Sequence, residues 1–115
     1  MTRTHSLCLD GSTAPDVTPA ELIAIAAEGG CQGVGLMVQP HPAFPDQGLS
    51  SSAAVRRETI RAAQDHGLRI DMADVFVLDS HSSPDLMRAG LEGAAELGAH
   101  FATAIIRQDD EQRRI

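Results

Sequence analysis

Four short apolar runs recur along the chain: Ser6 to Leu9, Gly33 to Val38, Ile70 to Leu78, and Phe101 to Ile106. They are spaced at roughly thirty residues, and the stretches between them carry apolar positions at helical spacing. Strand and helix therefore alternate, the signature of βαβ units and a parallel sheet. The runs are apolar on successive residues, as in Ala104-Ile105-Ile106, which suits strands covered on both faces.

Each helix has its own start and stop signals. Thr18-Pro19-Ala20-Glu21 puts Thr at the N-cap, Pro at the first helical position and Glu at the third, a capping box. Leu22, Ile25, Ala26 and Gly29 then form one predicted buried stripe, and Gly29-Gly30 stops the helix. The second helix starts within Ser50-Ser51-Ser52 and runs to His66, with Ala53, Ile60 and Ala63 inward and Gly67 as its stop. The third takes Ser83 as N-cap and Pro84 as first residue, buries Met87, Leu91 and Ala94, and ends at Gly98. The helix-to-strand turns are short. Two strand-to-helix loops are long: the Pro-rich segment from Gln39 to about Ser50, and the one carrying Asp79, Ser80, His81 and Ser82. Long loops at the C-terminal ends of parallel strands are where α/β folds place function.

With 115 residues the chain is long enough for one domain with one core. The hydrophobic share of 43% and charged share of 22% are those of a soluble globular protein, with three Phe and no Trp or Tyr. A net charge of −7, with no basic stripe, argues against a nucleic-acid partner. All nine basic residues are Arg, so Schiff-base, P-loop-lysine and Ser–Lys chemistry is excluded. An anion site here must use Arg or backbone N–H groups. Cys8 and Cys31 lie in apolar runs and read as reduced core thiols. No signal-peptide core precedes the first strand and no apolar stretch reaches the ~20 residues of a membrane span, so a cytoplasmic protein without a membrane partner is the expectation.

Several segments together resemble the N-terminal part of the xylose-isomerase-like superfamily of sugar phosphate isomerases and epimerases. These are Asp16-Val17-Thr18-Pro19-Ala20-Glu21-Leu22-Ile23, Ala26 through Leu36, Asp65-His66-Gly67-Leu68-Arg69-Ile70, and Ala94-Ala95-Glu96-Leu97-Gly98-Ala99. Their order and spacing cover nearly the whole chain. The resemblance implies an α/β (β/α)8 TIM barrel, of which residues 1–115 supply the first four strands and three helices as the N-terminal part of a single domain. A full barrel needs roughly 250 residues. The resemblance further implies a divalent metal (Mn, Mg or Zn) in the full-length protein and a small sugar-like substrate. In the isomerases and epimerases the metal ligands and acid/base carboxylates come mainly from strands five to eight. This segment alone is accordingly expected to be inactive, to bind no metal, and to leave sheet edges that two such halves could cover by pairing.

The candidate substrate-binding residues are His41, Phe76, His81 and Arg107. His41 and His81 lie in the loops after the second and third strands, where either a substrate contact or a solvated histidine fits. Phe76 fits a pocket wall or the core. Arg107 directly follows the fourth strand and, without any Lys, is the best residue for gripping a phosphate or carboxylate; an exposed tail residue is the other reading. Phe44, between Pro42 and Pro45, suits a lid or a fixed loop. Asp10 suits the pocket floor or a turn. Strict alternation along the third strand places Asp71 and Asp74 on opposite faces. His5, His66 and His100 read as structural. Two other functions remain open: a complete small α/β binding module, and a hydrolase or dehydratase on the same barrel. A dinucleotide site is excluded because no Gly-x-Gly-x-x-Gly follows the first strand, and a receiver site because it needs a Lys and an acidic pair.

Overall fold

The computed structural model of the chain describes residues 6–40, 45–80 and 82–107. The first helix, α1 (Pro19–Glu28), begins where its capping box predicts: Thr18 Oγ1 accepts from the Glu21 N–H, and the Glu21 carboxylate accepts from the Thr18 N–H. Those bonds hold the Glu21 carboxyl below its ordinary value. Thr18→Ala removes one cap acceptor, and thermal denaturation is expected to show a loss of about 1 kcal/mol.

The other helices are α2 (Ala53–His66), capped by Ser52, and α3 (Pro84–Glu96), capped by Ser83. Four strands complete the order: β1 (Cys8–Asp10), β2 (Gly33–Met37), β3 (Arg69–Leu78) and β4 (Phe101–Ile106). A single 3₁₀ turn, Gly11–Thr13, follows β1. Gly30, Gly67 and Gly98 take positive φ just past the three helices, reversing the chain into the next strand at no steric cost.

The architecture is α/β: one four-stranded sheet in the order β1-β2-β3-β4, every neighbouring pair parallel. Val34, Leu36 and Val38 from β2 and its end, and Ile70, Ala73 and Phe76 from β3, join Leu22, Ile23 and Ala26 of α1, Ala63 of α2 and Ala94 of α3 in one buried cluster. A single cluster shared by all three helices places them on one face of the sheet. The alternate residues of β2, Gly33, Gly35 and Met37, face the other way.

Two predicted helix faces are displaced. Ile25 is 46% exposed, and α1 buries Leu22, Ile23 and Ala26 instead. In α3 Leu91 is 48% exposed, and the inner face is Gly90, Gly93, Ala94 and Leu97. The reason is close approach. A Cβ on Gly93 would lie 2.9 Å from the Leu49 carbonyl oxygen, and one on Gly90 would lie 2.8 Å from Cε1 of Phe76. Only residues without side chains let α3 sit this low on the sheet. Ala53 of α2 is exposed, whereas Thr59 is buried and its hydroxyl donates to the Val55 carbonyl oxygen.

Candidate functional site

The helix-free face is organised around glycines. A Cβ on Gly35 would lie 3.8 Å from Cγ of Asp10 and 3.1 Å from Cε of Met72, and one on Gly33 would run into the Asp71 carboxylate. Asp10, Asp71 and Met72 therefore lie over β2 on this face. Asp71 and Asp74 share the face, contrary to the alternation argument, because the β2–β3 register slips by one residue between Val34 and Gly35. Val34 pairs with Ile70 but Gly35 with Met72, and Met37 reaches Asp74. One extra residue in β3 reverses the parity of everything after it. A second slip, between Ala73 and Phe76 against β4, reverses it again.

Consequently Phe76 points to the helices. It is 2% exposed, part of the main cluster, and set beneath Gly90 of α3. Arg107 lies directly past β4, exposed, its N–H donating to the Leu78 carbonyl oxygen at 2.8 Å. Asp71 is tied lower down, in an ion pair with Arg69, which also donates to the Ser6 hydroxyl. His41, His81 and Phe44 lie outside the described residues.

The feature that stands out chemically is a carboxyl pair. Asp74 is only 3% exposed, and its side chain is hydrogen-bonded with that of Asp10 across the gap left by Gly35. Two carboxylates offer only acceptors, so that contact needs a proton on one of them. Burial, then the hydrogen bond and negative charge of Asp10, push Asp74 from 3.8 up to about 7, against a smaller opposing contribution from its own backbone N–H. Its Oδ1 is sealed from solvent with no hydrogen-bond partner. Gln39 Oε1 is similarly buried without a partner, but beneath Gly90 on the helix side.

Asp10 does more than meet Asp74. Its Oδ1 accepts from the Ser12 N–H at 3.0 Å and its carbonyl accepts from the Thr13 hydroxyl at 2.7 Å, so it also caps the 3₁₀ turn. The turn reading of Asp10 therefore holds, and its side chain lies on the helix-free face as well. Cys8 lies on the same face, its thiol pushed up first by partial burial and then by the carboxylates of Asp71 and Asp10. This makes it a poor nucleophile at neutral pH. Cys8 is exposed and so not a core thiol as expected, Cys31 is half-buried, and both thiols are free.

Asp74 was visible as a charged residue in the apolar run from Ile70 to Leu78, yet its partner could not be identified, because the register slip is a tertiary property. Among the described residues no three His, Cys, Asp or Glu side chains are placed to share a metal ion. Two carboxyls joined by a proton do not make such a set. No helix among them is long and apolar enough to cross a membrane. The sequence matches no protein-family model and no curated protein.

Proposed function

We propose that this chain forms the first four units of a (β/α)8 barrel of the isomerase/epimerase kind and supplies one wall of a site for a small sugar-like substrate. The sheet order carries the reading. A doubly wound sheet reverses direction part-way and covers both faces with helices. Here four consecutive parallel strands keep all three helices on one face. All-parallel sheets are stable with both faces covered, and a sheet with helices on one side only satisfies that by curling on itself. The helix-free face then becomes the inside of the barrel.

On that inner face Asp10 and Asp74 lie level with the C-terminal ends of β1 and β2, the end where such barrels bind substrate. A carboxyl that exchanges its proton near neutral pH suits a site in which protons move between carbon and oxygen. Arg107, exposed at the end of β4, offers a grip for a substrate phosphate. The metal and the main acid/base carboxylates belong, in this reading, to the remaining four units.

The test is deuterium exchange in D2O with Mn²⁺ and ketose or ketose phosphate, followed by NMR at the carbon beside the carbonyl. Residues 1–115 alone are expected to give no exchange, and the chain followed by four further strand–helix units to give it. In that longer protein Arg107→Ala is expected to raise KM for the phosphorylated sugar about tenfold, ~1.4 kcal/mol, while changing the unphosphorylated sugar little. Turnover by the 115 residues alone, or none by the longer protein with any sugar, overturns the reading.

A further inference from the structure

We propose that the Asp10–Asp74 carboxyl pair is a pH-operated latch, holding the β1 edge and its 3₁₀ turn onto the sheet while the pair shares a proton and releasing them when that proton is lost. The geometry gives the pair two unequal ends. Asp74 sits in the middle of β3, paired with Met37 on one side and buried, with Oδ1 sealed and unpartnered. A negative charge there is shut off from water. Asp10 is half-buried at the end of a three-residue strand on the edge of the sheet. Whatever moves when both groups ionise is therefore the Asp10 side.

The edge is short and held by a small set of contacts. β1 is held by its register with Gly33, Val34 and Gly35, by Gln32 and Gly33 N–H groups donating to the Leu7 carbonyl oxygen, by the Leu7 N–H donating to Gln32 Oε1, by Arg69 donating to the Ser6 hydroxyl, and by Leu9 packing on the core. Leu7 is exposed. Three residues of edge strand are about the least that forms a ladder, so a repulsion between buried charges is large by comparison.

The surrounding charges do not relieve it. On β1 the titratable neighbours are Asp10 and Cys8. β2 and β4 carry none. On β3, Arg69 and Asp71 are engaged with each other nearer the opposite end. The helices pack on the other face. Among the described residues Asp10 is the one charged side chain acting on Asp74. Burial raises Asp74 into the neutral range, so the proton is lost across ordinary solution conditions and not only at an extreme.

Backbone hydrogen exchange of the intact chain, read residue by residue by NMR between pH 5.5 and 8 and corrected for intrinsic rates, tests the latch. Exchange at the Gln32 and Gly33 amides is expected to rise across that range at least tenfold more than exchange at amides in the middle of α2, which follow only the change in global stability. Asp74→Asn, neutral at every pH, is expected to abolish the rise. Asp10→Asn, which removes the repulsion and leaves Asp74 in place, is expected to reduce it strongly and serves if the first variant does not fold. The carboxyl carbon of Asp74, followed by ¹³C NMR, is expected to titrate near neutrality. Equal protection of Gln32 and Gly33 at both ends of the range overturns the latch. So does a uniform change over all amides, which would mean that the pair acts on the whole fold, or a wild-type pH response in both variants.

Discussion

Replacing Phe76 by Ala is expected to remove about 3–5 kcal/mol of stability, measured by urea denaturation at pH 6. That is a large part of the 5–15 kcal/mol by which domains of this size are held folded. The ring is 2% exposed and fills the space between β3 and α3. It is also held in shape from above, because a Cβ on Gly90 would lie 2.8 Å from its Cε1. With glycine overhead the helix has no side chain to drop into the void, so the cavity persists and its full cost is felt. A pocket-wall phenylalanine on the open face would behave otherwise: its truncation would alter ligand binding and cost little stability. A loss below about 1 kcal/mol would contradict the packing described here.

The second large effect is a decline in stability as pH rises. The folded-state value of Asp74 lies near 7, above the 3.8 of an ordinary aspartate, so the folded chain holds that proton more tightly than the unfolded chain does. The stabilisation is complete below about pH 4, falls steadily above it, and is gone once pH has passed about 7. A displacement from 3.8 to about 7 corresponds to an upper bound of about 4 kcal/mol. Release of the β1 edge relieves part of the repulsion and limits the loss to about 2 kcal/mol between pH 5 and 8. Denaturation midpoints across that range give the measurement, with Asp74→Asn as the control expected to flatten the curve. A wild-type protein equally stable at pH 5 and pH 8 would show that the pair is not buried as described. The direction is informative, since aspartates that are paired with cations or well hydrogen-bonded lose stability on acidification, the reverse of the slope expected here.

These two residues sit two positions apart in one strand and illustrate what can be read from a sequence. The existence of β3, its apolar character and its length were legible from Ile70 to Leu78. So were the Thr18–Glu21 capping box, the Ser83-Pro84 start of α3, and the glycines after each helix, because those signals act between residues a few positions apart and need no distant partner. The alternation of strand and helix, which makes the chain α/β with a parallel sheet, follows from the same local rules.

The faces were not legible. Period-two alternation put Asp71 and Asp74 on opposite sides; the first register slip in β3 brought them to the same side, and the second separated Phe76 from Asp74 and returned it to the helix side. A slip is settled by how one strand fits its neighbours, a contact between residues tens of positions apart. The same holds for α3, whose inner face of Gly90, Gly93, Ala94 and Leu97 is set by how closely it approaches Phe76 and Leu49. By itself the sequence determined which elements form and where they start and stop, since helix caps and apolar periodicity are local physics. Only the tertiary structure decided which residues meet, and so turned two unremarkable aspartates, sixty-four positions apart in number, into one acid pair over Gly35.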